Sequence, residues 1–188
     1  MPFDNIEIEI KVKIDESDYT NVKNKLAQIA HFVSVSSNID TYFSPKENNY
    51  LLEKFPYKWL SIRQRNKTIS LNYKHFHPEG AEKHTHCDEF ETQIMNADAI
   101  KSILNELGFI EIVTVDKVRE KYIFEDKYEI ALDRVVNLGT YIEIEALKNL
   151  GDFEKIKSEM FQFLSVLGVN KYTIDHRGYP FQILKSKE

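Results

Sequence analysis

Ile6-Glu7-Ile8-Glu9-Ile10-Lys11-Val12-Lys13-Ile14 alternates apolar and charged side chains without a break. In an extended chain successive side chains point to opposite faces. Period two therefore puts Ile6, Ile8, Ile10, Val12 and Ile14 on one face and Glu7, Glu9, Lys11 and Lys13 on the other. One such strand reads as a half-solvated face whose cross-strand ion pairs contribute under about 1 kcal/mol each. The pattern returns along the chain, however. Lys117, Arg119 and Lys121 share a parity; so do Glu129, Ala131 and Asp133, and so do Tyr141, Glu143 and Glu145, with Ile142 and Ile144 opposite. Strands with one apolar face and one face charged in both signs predict a sheet curled around a charged interior, with helices over the apolar side.

Composition bounds the reading. The 188 residues suit one domain spanning 1–188, with 42% hydrophobic and 29% charged residues, ordinary for a folded protein. A net charge of −5, with bases interspersed among acids, gives no footprint for nucleic acid. No apolar run reaches the length of a membrane span, and Met1-Pro2-Phe3-Asp4 lacks the basic and apolar regions of a signal peptide. The single Cys87 has no intrachain partner for a disulfide. A cytoplasmic location fits these features.

The rest of the chain predicts roughly eight antiparallel strands and three helices. Asp15 or Ser17 caps a first helix with Val22, Leu26, Ile29 and Ala30 on one side. A strand follows over about 34–43. Asn66-Lys67 turns a hairpin between strands 59–65 and 68–75, and 88–94 is another strand. Asn96 or Asp98 opens a second helix stopped by Gly108. Strands follow over 110–124, 128–133 and 140–148. A third helix opens near Asp152 and stops at Gly168, and the tail from Val169 reads as irregular. Eight strands suffice to close a barrel with room for one elongated ligand. The expected fold is thus α+β, a closed eight-stranded antiparallel barrel with a charged interior and helices packed outside. Outer helices of this kind would permit a homodimer.

An unpaired charge removed from water costs several kcal/mol, and even an ion pair repays its desolvation poorly. A dozen mixed interior charges therefore need solvent, metal ions and a charged ligand. Lys11, Arg63, Arg65, Lys74, Lys117 and Arg119 form the basic set, suited to phosphate oxygens. Glu7, Glu9, Asp133, Glu143 and Glu145 form the acidic set, with Glu89 and Glu91 as further candidates. Carboxylates two apart on a strand point the same way, so Glu7/Glu9 and Glu143/Glu145 are two natural clamps for Mg2+ or Mn2+. Bases for phosphates beside carboxylates for metal describe a polyphosphate site.

These residues resemble the CYTH superfamily, the triphosphate tunnel metalloenzymes. Glu7-Ile8-Glu9-Ile10-Lys11 matches its EXEXK signature, and Asp40-Thr41-Tyr42-Phe43 resembles its second-strand DXYF segment. Leu60-Ser61-Ile62-Arg63 with Leu71-Asn72-Tyr73-Lys74 resembles its LRXR…LXXK hairpin, and Lys117-Val118-Arg119 its KXR strand. Leu132-Asp133 and Gly139-Thr140-Tyr141-Ile142-Glu143-Ile144-Glu145 resemble its late acidic strands. The resemblance implies a tunnel that binds a triphosphate such as ATP, thiamine triphosphate or tripolyphosphate. Lys11, Arg63, Lys74, Lys117 and Arg119 would hold phosphates, Glu7, Glu9, Glu143 and Glu145 would hold metal, and Asp133 would be a further acidic wall residue. Tyr42 beside Lys74 would handle a proton in a hydrolase. Ser61 stands where hydrolytic members carry the first Arg, and Arg65 is additional. The segment from Ile130 to Gly139 resembles the class IV adenylyl cyclase branch.

The resemblance leaves three functional classes: a lyase converting ATP to cAMP and pyrophosphate, a triphosphatase, and a non-catalytic polyphosphate binder. The intact glutamate pairs place the binder last, and the cyclase is preferred. His75, His77, His84, His86 and Cys87 crowd one stretch that matches no standard zinc finger, and it reads as a solvated loop tip. Trp59 reads as packing rather than as a stacking platform for a base. Tyr172 is a candidate to close the tunnel mouth, against a merely docked tail.

Overall fold

The alternating stretch is extended, but it makes two strands rather than one. β1 (Ile6–Glu7) and β2 (Glu9–Ile14) are separated at Ile8, where the chain changes partners. The structure is a computed structural model and describes residues 6–148 and 151–186; the opening Met1-Pro2-Phe3-Asp4 lies outside the described residues. In chain order the elements after β2 are α1 (Glu16–Ile29), β3 (His31–Pro45), β4 (Lys58–Arg65), β5 (Thr68–His77), β6 (His86–Gln93), α2 (Ala97–Glu106) and β7 (Phe109–Phe124). They continue with β8 (Tyr128–Val135), β9 (Gly139–Ala146), α3 (Phe153–Val166), β10 (Thr173–Ile174) and α4 (Gly178–Lys185). The described residues thus hold ten strands and four helices where eight and three were expected. The split at Ile8 supplies one extra strand, and the tail expected to be irregular supplies β10 and α4.

The strands form one curled antiparallel sheet in the order β1-β6-β5-β4-β3-β7-β8-β9-β2-β10. β1 pairs with β6, Glu7 opposite Cys87, while β2 pairs with β9, Lys11 opposite Glu143. The two halves of the opening stretch therefore lie at or next to opposite ends of the strand order.

Local chemistry accounts for the boundaries. Asn96 and Asp152 cap α2 and α3, their side chains accepting from the Ala99 and Glu154 backbone amides, each at 2.9 Å. Gly108 and Gly168 follow those helices at φ of 82° and 84°, a left-handed turn that a Cβ disfavours. Asn66-Lys67 is the two-residue connection between β4 and β5, with Asn66 at φ 54°.

Three apolar clusters place the layers. Ile8, Ile10, Val12, Ile14, Ile130, Leu132, Ile142 and Ile144 pack against Tyr19, Val22 and Leu26 of α1 and Met160, Phe163 and Leu164 of α3. This is the apolar face of the alternating strands, covered by helices as expected. α2 covers Phe43 and Ile62 through Leu104. The third cluster was not foreseen: Tyr179 and Ile183 of α4 pack among Tyr42, Trp59, Val113, Val115, Val135 and Tyr141. Those six share the parity of the charged residues, so α4 fills part of the sheet's inner side. No described helix is long and apolar enough to cross a membrane.

Candidate functional site

Strand register carries the charged positions around the inner face. Glu9 stands opposite Glu145, which stands opposite Glu129; Lys11 stands opposite Glu143. Asp133 faces Arg119, Lys117 faces Asn38, and Asn38 faces Arg65. Asp40 faces Arg63, Trp59 faces Lys74, and Lys74 faces Glu89. Because partners share a face, one parity choice in each strand assembles the whole wall. The cavity that this wall lines is about 680 Å³ and opens to solvent. Its wall includes Glu7, Glu9, Lys11, Tyr42, Arg63, Arg65, Lys74, Lys117, Arg119, Glu143 and Glu145, so it gathers every expected site residue except Asp133.

Asp133 lies behind the wall. It is 0% exposed and accepts from Arg119 Nε and Nη2 at 2.8 and 2.6 Å and from the Tyr179 hydroxyl at 2.8 Å. Three donors meet on this fully buried carboxylate, which holds the Arg119 guanidinium from behind. Arg119 Nη2 also reaches Glu143 at 3.0 Å, and Lys11 Nζ lies 2.9 Å from the same carboxylate. Burial alone would raise Glu143, but Arg119 and Lys11 outweigh it and hold the carboxyl well below its usual range.

The first glutamate pair behaves differently. Lys74 pairs with Glu7, and Cys87 Sγ donates to the same carboxylate at 3.0 Å. Burial, only partly offset by Lys74, pushes Glu7 well above the ordinary carboxyl range. Burial and then Glu9 push Glu145 up to about 7. Glu9 Oε2 is buried without a hydrogen-bond partner among the described residues. The Lys74 ammonium lies 3.7 Å from that oxygen, and against burial Lys11 and Lys74 hold Glu9 below the ordinary carboxyl range. Glu7 and Glu145 remain short of positive charge, which a hard divalent cation beside them would supply.

The remaining wall is basic and tightly paired. Arg63 Nη1 donates to Glu89 and Glu91, each at 2.9 Å, and Asn72 Nδ2 donates to the same two acids at 2.7 and 3.2 Å. Burial favours protonation of Glu89, but Lys74 and Arg63 prevail and bring it to about 2. Among the described residues the buried Arg65 Nε and Ser61 Oγ have no hydrogen-bond partner. Lys117 lies 3.4 Å from Asp40, and burial followed by Arg119 lowers it to about 8. Tyr42 makes no side-chain hydrogen bond to Lys74 among the described residues; burial and then Asp40 hold its hydroxyl up at about 12. Tyr42 meets Trp59 edge-on at 5.7 Å, and Trp59 is buried in the α4 cluster while also lining the cavity.

Some residues escaped the sequence reading. Glu89 and Glu91, the further acidic candidates, do line the cavity, but Asn72 was missed although it carries the same parity beside Lys74. Tyr179 carried none. Its ring sits 4.7 Å from Lys11 Nζ and 5.0 Å from Lys117 Nζ, inside the base cluster. Tyr172, weighed as a mouth residue against a docked tail, is 38% exposed and stacks on Phe161.

With this geometry in view, residues 5–179 match the CYTH domain. The chain belongs to the CYTH domain family. A Methanocaldococcus jannaschii relative, MJ0240, provisionally named an adenylate cyclase, is 29% identical over 93% of this chain and 96% of its own. The structure of PH1819 from Pyrococcus horikoshii superposes with a TM-score of 0.78 at 28% identity, over 97% of this chain and 99% of that one. HpAC1 from Hippeastrum shares the CYTH fold at 17% identity and a TM-score of 0.65, over 97% of this chain and 96% of that one. Its description as an adenylyl cyclase is likewise provisional, and the same description reports a dominant triphosphatase activity.

Proposed function

We propose that this CYTH domain is a divalent-metal-dependent enzyme acting on a triphosphate, and that its reaction is the cyclisation of ATP to cAMP and pyrophosphate. The carrying observation is the convergence of Lys11, Arg63, Arg65, Lys74, Lys117 and Arg119 on one cavity that also holds Glu7, Glu9, Glu143 and Glu145. The pairing of β1 with β6 and of β2 with β9 supports a closed eight-strand tunnel, with the opening stretch spanning the seam.

In this reading Arg63, Arg65 and Arg119 fork onto phosphate oxygens while Lys11, Lys74 and Lys117 act as point charges. Asp133 and Tyr179 fix the Arg119 guanidinium in advance, so no reorganisation is needed as charge develops on the leaving pyrophosphate. Glu7, Glu9 and Glu145, with Glu143, would hold Mg2+ or Mn2+, which supplies neutralisation of phosphate charge and acidifies a coordinated hydroxyl. Tyr42, held protonated by burial, serves as a neutral donor rather than a base. The wall's task is to hold the ribose 3′-hydroxyl in line with the α-phosphorus.

Ser61 in place of an arginine favours cyclisation, as do the Ile130–Gly139 segment and the name given to the M. jannaschii relative. The triphosphatase reading rests on the activity reported for HpAC1. A product assay decides between them. ATP with Mg2+ or Mn2+ should yield cAMP and pyrophosphate, and 3′-deoxy-ATP should bind without reacting. Orthophosphate released from tripolyphosphate or thiamine triphosphate, with no cAMP formed, would assign the protein to the hydrolases.

A further inference from the structure

The histidine-rich stretch is mostly strand, not loop tip. β5 runs through His77 and β6 begins at His86, so only residues 78–85 connect them. Lys74 and Phe76 face the cavity, and alternation sends His75 and His77 to the outer face. Across the ladder His75 stands opposite Asp88, and His77 stands opposite His86. His77 Nε2 lies 2.9 Å from Asp88 Oδ2, and His75 Nε2 lies 2.7 Å from Glu79 Oε1. The His75 and His77 rings are 4.5 Å apart, and His86 stacks on His77 at 5.0 Å. One donor atom from each of His75, His77 and Asp88 falls within 4.8 Å of the other two.

We infer that His75, His77 and Asp88 form a second cation site, for a borderline divalent ion of the Zn2+ class, on the outer face of β5 and β6. Bonds of about 2.0–2.2 Å set tetrahedral donors about 3.4 Å apart, so the cluster closes by side-chain adjustments of about an ångström. The donors are placed by strand register, which fixes them better than a loop would. Glu79 on His75 is the carboxylate that ligating imidazoles ordinarily carry behind them. All three donors are partly exposed, so an ion can reach them. The chemistry also separates this site from the cavity. Imidazole suits Zn2+ and its neighbours, whereas an all-carboxylate set suits Mg2+ and Mn2+. An ion here would clamp β5 to β6 directly behind Lys74 and Glu89 of the cavity wall.

Co2+ is the probe, because a tetrahedral nitrogen-containing site gives it intense visible absorption. In excess millimolar Mg2+, which occupies the carboxylate sites, the protein should take up one equivalent of Co2+ with such bands, and Zn2+ should displace it. His75→Ala/His77→Ala should abolish the bands, and so should Asp88→Asn alone, both with native far-UV circular dichroism. Glu9→Gln should leave them unchanged. The inference is overturned if the wild-type protein shows no Co2+ bands, if either outer-face variant retains them, or if Glu9→Gln removes them.

Discussion

Replacing Glu145 by glutamine should exchange activity for stability, and the exchange should depend on pH. Glu145 faces Glu9 across β2 and β9, and burial with Glu9 raises it from 4.5 to about 7. A carboxyl raised in the folded state binds its proton more tightly there than in the unfolded chain. Its stabilising contribution is full below about pH 4.5 and is lost as pH rises through 7. One pKa unit corresponds to about 1.4 kcal/mol, so the shift spans at most about 3.5 kcal/mol. Because burial, and only then Glu9, raises Glu145, and a buried glutamine still pays part of that desolvation, one neutral substitution should recover about 2 kcal/mol of it. Urea denaturation should find Glu145→Gln more stable than wild type by about that amount at pH 8 and equal to it at pH 4. Mg2+ should stabilise the wild-type protein at pH 8 and do less for the variant, whose turnover should fall sharply. A variant less stable than wild type at pH 8, or one equally stabilised at pH 4 and pH 8, would refute a charge held by burial against a second carboxylate.

Lys117 gives the opposite limb. Its ammonium, lowered to about 8 by burial and Arg119, loses its charge as pH rises through that value. Calorimetric binding of tripolyphosphate should therefore weaken above pH 8, and Lys117→Arg should flatten that dependence. Arg119→Ala should strand Asp133 without its cation, costing about 3–5 kcal/mol of stability besides about 10²-fold or more in turnover. Adding Asp133→Asn should restore most of the melting temperature and none of the turnover. Tyr179→Phe removes one donor to Asp133 and should lower stability by about 1–2 kcal/mol in thermal unfolding while leaving most activity.

The inner wall was legible because parity is a local property. Once Glu9 and Lys11 are assigned to one face, alternation within β2 leaves no freedom, and the same holds for Lys117 and Arg119 in β7. What alternation does not encode is depth. Asp133 shares the parity of the wall, yet it sits behind Arg119 because Tyr179, forty-six residues further on, approaches it. The tail was unreadable for the same reason. Gly178–Lys185 is eight residues long and acquires its helix from packing among Val113, Val115 and Tyr141, not from a stripe of its own. The histidine stretch was misjudged at its borders. Pro78 and Gly80 mark the turn correctly, but the strands run up to His77 and resume at His86.

The cavity wall carries ten lysines and arginines and nine aspartates and glutamates among the described residues, most of them already paired with one another. Such a wall behaves as an ion exchanger rather than as a positive funnel. If the cavity takes a phosphate as proposed, an oxygen that engages Lys74 or Arg119 must first evict Glu7 or Glu143, and each evicted carboxylate then needs a cation of its own. Anion and metal should therefore load together, each raising the affinity for the other. A monophosphate brings too few oxygens to displace several carboxylates at once, whereas a triphosphate displaces them in series. On the proposed function, selectivity for long polyanions would follow from the number of ion pairs exchanged.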